Sequence, residues 1–203
     1  EGEKSIRPVV VNVCNFSRPA GDAPALLSIE EVETLFHELG HGLNSILSRV
    51  RYRDIASVPR DFVELPSQIM ENWATEPEVL KVYAKHWKTG EPIPDELLAK
   101  IKKTRQFNQG FATVEYLAAS LLDMDWHTLT DSKEREATAF EKAVLKRIGM
   151  PAQIVPRYRS PSFQHIFSGG YSAGYYSYVW AEVLDADAFQ AFKEKGLFDP
   201  ATA

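Results

Sequence analysis

Apolar and polar positions recur with a helical period along most of this chain. The clearest case spans residues 28–50. At about 100° per residue, Val32, Leu35, Leu39, Leu43, Ile46 and Val50 share one side of the helix, with Phe36 and Leu47 at its edge. Thr34, His37, His41, Asn44 and Ser48 form the opposite stripe. Ser28 followed by Glu31 makes a capping box that fixes the start. Residues 61–75 predict a second helix, with Pro66 confined to its first turn. Further helices are predicted over 77–87, from 94 or 95 to about 106, over 111–129, and over 132–148 with Gly149 as the stop. Leu97, Leu98 and Ile101 are expected inward, and Leu117, Leu121 and Leu122 are expected in a core. A last helix runs to Lys195, ahead of Gly196. The exception to the helical period is 7–16, where Val9-Val10-Val11-Asn12-Val13 predicts a strand. A lone strand needs a partner. It is either a packed extended segment or an edge to which an extended peptide adds. The expected fold class is mainly α, multi-helix, with a minor β element near the N-terminus.

Composition changes this picture little. The 203 residues suit one or two domains, and 44% hydrophobic with 25% charged residues is ordinary for a globular protein. A net charge of −5 makes no case for nucleic acid or an anionic membrane as partner. No apolar run is long enough to span a bilayer. The single cysteine, Cys14, excludes an internal disulfide and fits a reducing, cytoplasmic setting. The chain starts at Glu1 without a Met and ends abruptly at Ala201-Thr202-Ala203, after a Pro. It is expected to be a piece of something longer, with its native N-terminus absent.

The candidate chemistry begins at His37-Glu38-Leu39-Gly40-His41. Histidines at i and i+4 lie side by side and suit one Zn²⁺. Glu38 is offset around the helix, where it addresses a water rather than the metal. Gly40 and Gly42 each cost about 1 kcal/mol mid-helix, which points to a close approach to the backbone. Glu64 is the candidate third ligand, since two His and one carboxylate with an open position form a catalytic set. Gln68 and Glu71 follow it on one face and are candidates to hold a ligating histidine by its second nitrogen. Without the first motif, all three would read as an exposed polar face. His86 and His127 read as packed or exposed, and Arg157 and Arg159 as solvated positives.

A second unusual stretch, 165–180, places four tyrosines beside Gly169-Gly170. Tyr171, Tyr175 and Tyr178 share a face at helical spacing, with Tyr176 turned aside. A phenol donates a hydrogen bond to an oxygen that becomes anionic in a transition state. The alternative is a tyrosine-rich packing face. The glycines would let the loop move or let a substrate backbone come close.

With these blocks in hand, the chain resembles the catalytic part of the thimet oligopeptidase family of zinc metallopeptidases, which includes oligopeptidase A and bacterial peptidyl-dipeptidase. Residues 7–15 and 23–27 leading into His37–His41, then 61–73, then 165–182 carry the resemblance. It implies a zincin-like catalytic domain that hydrolyses short peptides. It implies one zinc on His37, His41 and Glu64, Glu38 as general base, and His165, Tyr171 and Tyr178 touching the substrate carbonyl or tetrahedral intermediate. Tyr175 matches a further family tyrosine. Asn44 stands near where many members have another His, and Leu39 replaces the commoner Phe. Family members are much longer, so the missing N-terminal part of the same parent is the expected partner besides short peptides. Without that part, Tyr171 is expected to open to solvent. Rival readings are a non-catalytic helical scaffold and a zinc hydrolase of non-peptide amides.

Overall fold

The computed structural model describes residues 8–203. It is mainly helical, as the periodicity predicts. Eight α-helices occur among the described residues: α1 Ile29–Leu47, α2 Leu65–Ala74, α3 Pro77–Tyr83, α4 Asp95–Thr104, α5 Gln109–His127, α6 Ala137–Arg147, α7 Gln164–Phe167 and α8 Ser177–Lys195. They divide between two compact units. One comprises residues 8–104 with Ala181–Ala203, and the other Arg105–Trp180.

Helix boundaries follow their caps. Ser28 Oγ accepts from Glu31 N–H at 3.2 Å, and Glu31 Oε2 accepts from Ser28 N–H at 2.9 Å. The other oxygen of Glu31 accepts from Ser17 N–H at 2.9 Å, tying down the preceding segment. α2 starts later than expected, at Leu65, because Pro66 belongs in a first turn, where its missing N–H is not needed. α6 also starts late, because Glu136 caps it by accepting from the N–H groups of Thr138 and Ala139. Gly149 ends α6 at φ +75°, as its position predicts.

The expected strand over 7–16 is not formed among the described residues. Arg7 lies outside them. Residues 8–16 are paired with no other described segment, and Val9 is 91% exposed. β-branched residues favour extended backbone, but a ladder requires a second strand. The extended pairing that does occur among the described residues is one isolated bridge, Lys85 with Pro92.

In the first unit, α1 packs on α2 through its polar stripe. Its apolar positions Leu35, Leu39 and Ile46 are exposed, Leu39 by 42%. A Cβ on Gly40 would stand 2.2 Å from the carbonyl oxygen of Pro66 and 2.6 Å from Ser67 Cα, so the two helix backbones touch there. The close approach expected at Gly40 is real. Gly42 meets only Val10 Cγ1, at 3.4 Å. Trp73 on α2 sits edge-on to Phe189 and Phe192 of α8, each at 4.8 Å between centroids, and donates from Nε1 to the Leu197 carbonyl at 3.1 Å. Leu97 is exposed on α4, against expectation.

In the second unit, α5 buries Ala118, Ala119, Leu122 and Asp123, while Leu117 and Leu121 are exposed. The core there continues through Val144, Phe163, Ile166 and Tyr175. Among the described residues, no helix is long and apolar enough to cross a membrane.

Candidate functional site

The first unit brings His37, His41 and Glu64 together. One donor atom from each lies within 4.8 Å of the others. His37 Nε2 and His41 Nε2 are each 3.3 Å from Glu64 Oε2. Tetrahedral zinc with bonds of about 2.0–2.1 Å separates its ligands by about 3.3 Å, so this donor set fits the ion. The two imidazoles are 5.0 Å apart and nearly perpendicular. The i, i+4 spacing on α1 sets that pair.

Glu64 is placed by the turn that precedes α2. It is the N-cap residue, 2% exposed, and its carbonyl accepts from Gln68 N–H at 2.9 Å. A buried carboxylate is unfavourable unless paired. Ser67 Oγ lies 2.9 Å from both the carbonyl oxygen and Oε2 of Glu64 and donates to them, while the histidines supply the rest. Ser67 is fully buried and was not singled out from sequence.

Of the two candidates to hold a ligating histidine, Glu71 makes the contact. Its Oε1 is 2.5 Å from His37 Nδ1. That bond puts the neutral ring's proton on Nδ1 and leaves the Nε2 lone pair facing Glu64. Gln68 lies one turn earlier, half-buried, its carbonyl accepting from Asn72 Nδ2 at 3.4 Å. Asn72 also donates to Asp185 Oδ1 at 3.1 Å. Burial raises the pKa of Asp185; the Asn72 bond opposes this, and the charges of Glu71 and Glu182 add to it. Glu38 follows His37 on α1, half-buried and outside the ligand set.

In the metal-free protein, burial disfavours the His37 imidazolium. Bonds and charge from Glu64 and Glu71 outweigh it and lift the pKa from 6.5 to about 9. The raised value means these pairs stabilise the metal-free fold fully below pH 6.5 and cease to do so as pH rises through about 9. Zinc uptake near pH 7 is therefore expected to release about one proton from this ring. Calorimetric titrations in buffers of different ionisation enthalpy would measure it, and a proton-free uptake would show that the ring is neutral beforehand.

Glu64→Ala is expected to weaken zinc binding by more than the roughly 10–100-fold that loss of an outer partner costs. His86→Ala and His127→Ala should leave it alone. His86 is engaged with Thr89 in an exposed turn, and His127 Nδ1 is 2.8 Å from Asp123 Oδ1. Zinc content measured after dialysis decides; an unchanged value for Glu64→Ala would remove it from the ligand set.

The second unit gathers the aromatic residues of 165–178. Tyr171 stacks on Tyr178 at 5.2 Å, and Tyr175 lies 5.2 Å from Tyr178. His165 is 6.1 Å from Tyr171 and 5.7 Å from Tyr175. The helical spacing expected for these tyrosines is corrected. α8 begins only at Ser177, and the segment before it is a chain of turns. Tyr171 N–H donates to the His165 carbonyl, and Gly174 N–H to that of Tyr171, both at 2.9 Å. Tyr171 is 9% exposed, so the expectation that it opens to solvent is also overturned. Tyr176 does point aside and is exposed. Gly169 is required because a Cβ there would stand 2.8 Å from His165 Cα. The close approach is thus made by the chain itself.

Asp123 holds this segment. It is fully buried and accepts from the N–H groups of Ala173 at 2.9 Å and Tyr175 at 2.8 Å. Ala173 sits at φ +52°, a conformation that L-residues adopt with strain. Burial pushes the Tyr175 phenol up to about 12, against the lowering effect of Tyr116, so it stays protonated and able to donate.

Two histidines and a buried carboxylate on a helical frame form a donor set that suits a metal ion. Residues 2–202 match the family model of peptidase family M3. The dipeptidyl carboxypeptidase of Escherichia coli (strain K12) is 47% identical over 194 residues, covering 93% of this chain and 28% of that protein. The oligopeptidase A of Haemophilus influenzae is 44% identical over 200 residues, covering 96% and 29%. Saccharolysin of Saccharomyces cerevisiae is 38% identical over 186 residues, covering 90% and 26%. The chain belongs to peptidase family M3. It spans less than a third of the length of these curated relatives.

Proposed function

We propose that this chain carries the catalytic groups of a zinc-dependent peptidase that hydrolyses peptide bonds in short peptides, as an oligopeptidase or a peptidyl-dipeptidase. The observation that carries the reading is the pair of 3.3 Å contacts from His37 and His41 to the buried Glu64, in a chain of this family. One zinc per chain is held by His37, His41 and Glu64. When bound, it supplies a Lewis acid that polarises the scissile carbonyl and lowers the pKa of water.

The chain's own residues do the rest. Glu71 keeps the His37 ring in the ligating tautomer, and Ser67 fixes the Glu64 carboxylate. Glu38 takes a proton from the attacking water and returns it to the leaving amine. His165, Tyr171 and Tyr178 donate hydrogen bonds to the carbonyl oxygen as it becomes anionic. The substrates are short peptides, and the remainder of a longer parent chain works with these groups. That the chain spans less than a third of the length of its curated relatives supports this, so the full-length enzyme is the form to assay.

Elemental analysis and a panel of quenched peptides test the reading. About one zinc per chain and chelator-sensitive cleavage are expected. Stoichiometric zinc with no cleavage of any peptide would overturn it. Tyr178→Phe tests the donor role. It should lower kcat by more than it raises KM, by about 10²–10³-fold if the bond forms only near the transition state. A change in KM alone would make Tyr178 a substrate anchor.

A further inference from the structure

On α5, Tyr116, Asp123 and His127 stand at i, i+7 and i+11, so all three lie on one face. That face supports the segment that carries the candidate oxyanion donors. Tyr116 stacks on Tyr175, with ring centres 5.3 Å apart and planes 16° apart, and meets Tyr178 edge-on at 5.8 Å. Asp123 reaches the backbone instead. Its Oδ1 accepts from Ala173 N–H at 2.9 Å and its Oδ2 from Tyr175 N–H at 2.8 Å. His127 Nδ1 stands 2.8 Å from Oδ1 and 2.9 Å from the Asp123 carbonyl oxygen, so the carboxylate is also tied to its own helix.

The segment also has bonds of its own. Tyr171 N–H donates to the His165 carbonyl, Ser172 Oγ to the Ile166 carbonyl at 2.5 Å, and Ser177 N–H to the Gly174 carbonyl at 3.1 Å. These join neighbours to one another, whereas Asp123 comes from outside the segment. Ala173, at φ +52°, holds a left-handed conformation that persists in an L-residue only where its surroundings over-determine it. Asp123 takes the N–H of that residue and of the one two further on. The strained turn lies between Tyr171 and Tyr178, and α8, which carries Tyr178 in its first turn, begins at Ser177. A carboxylate suits this task, because an acceptor on each oxygen lets one group hold two N–H donors at a fixed spacing.

We propose that Asp123 is a positioning residue for oxyanion stabilisation, fixing through the turn at 171–176 where Tyr171 and Tyr178 present their phenols. The inference rests on the peptidase reading above. Asp123 is fully buried and acts only through the backbone that it holds. A donor aimed at an oxygen that becomes anionic must be in place before the charge develops. Misplacing such a group by about 1 Å costs on the order of a hundredfold in rate. A strained turn clamped by both oxygens of one carboxylate has the required fixity. Asparagine has the same shape but one acceptor, and its amide group would face one of the two N–H donors. Asp123→Asn therefore releases the turn without opening a cavity.

The test uses the full-length, zinc-loaded enzyme and a quenched peptide. Asp123→Asn should keep its zinc, lower kcat by about 10- to 100-fold and change KM by less than about threefold, because the misplaced bonds form only near the transition state. In a Tyr178→Phe background the same substitution should cost at least about threefold less than in wild type, since groups that act as one unit are not additive. A carboxylate that served the fold alone would lower the melting midpoint and leave kcat per folded enzyme unchanged, and that result would overturn the proposal. An equal cost in both backgrounds would overturn it too. If circular dichroism shows that Asp123→Asn does not fold, Asp123→Asn/Ala173→Gly takes its place under the same two criteria, because glycine adopts the turn without strain. If the wild type cuts no peptide, the peptidase reading fails, and the clamp is judged by hydrogen exchange. Amides of 171–176 should then exchange at least about tenfold faster in the variant while those of α5 keep their protection. Exchange there as slow as in wild type would overturn the clamp.

Discussion

Glu38→Gln in the full-length enzyme is expected to retain its zinc and lose about a hundred- to ten-thousand-fold of kcat, the range that a positioned general base contributes. The two properties separate because Glu38 stands outside the donor set formed by His37, His41 and Glu64. Glutamine matches glutamate in size and keeps a hydrogen-bonding oxygen, so α1 has no reason to repack. What is removed is the capacity to accept a proton from water and pass it on. Zinc analysis beside steady-state kinetics gives the answer. Loss of zinc would make Glu38 a ligand, and a kcat within tenfold of wild type would place the base elsewhere.

Gly40→Ala is expected to be the most damaging single methyl in the first unit, although it touches no ligand. The added carbon would stand 2.2 Å from the Pro66 carbonyl oxygen and 2.8 Å from the Pro66 carbonyl carbon. Neither is the end of a flexible side chain, so α1 and the start of α2 must separate. Overpacking of this kind costs about 1–3 kcal/mol. Separation also moves His37 and His41 away from Glu64, two residues before Pro66, and so breaks contacts that now stand at 3.3 Å. Thermal melts with and without zinc would show it: a lower midpoint without metal and a smaller rise on adding it. Gly42→Ala is the control, since its Cβ meets only a valine methyl at 3.4 Å. Equal effects from the two substitutions would mean that helix propensity, not the contact, is what Gly40 serves.

The clustering of His37, His41 and Glu64 was legible because its signals are local. The i, i+4 histidines, the capping box at Ser28 and Glu31, and the carboxylate of Glu64 ahead of a proline-started helix all declare themselves in a few residues. The glycine at position 40 was legible as a cost without a visible reason, and the reason is the Pro66 backbone. Ser67 and Asp123 were not legible. Serine beside a helix start and aspartate within a helix are common, and their tasks depend on groups that folding brings to them. Spacing alone predicts a helical face for the tyrosine segment, but α8 begins only at Ser177. Gly169, Gly170 and Gly174 break the helix that spacing would allow, yet turns bring Tyr171, Tyr175 and Tyr178 together all the same. The valine run fails in the opposite sense, since local preference for extended backbone says nothing about a partner. Arg157 and Arg159 look alike in sequence, and the buried Glu141, which pairs with Arg159, tells them apart.

The carboxylate of Asp123 also bears on the order in which the second unit takes shape. It joins α5 to backbone groups 50 and 52 residues further along the chain. Closing so long a loop costs entropy before any bond is gained, and contacts of that separation form late. Ala173 will not hold a left-handed conformation by itself, so the turns around it have no lasting shape until α5 is in place to receive their N–H groups. The tyrosines are then ordered last, on a frame already built. In a refolding time course followed by hydrogen exchange, the amides of Ala173 and Tyr175 should become protected after those of α5.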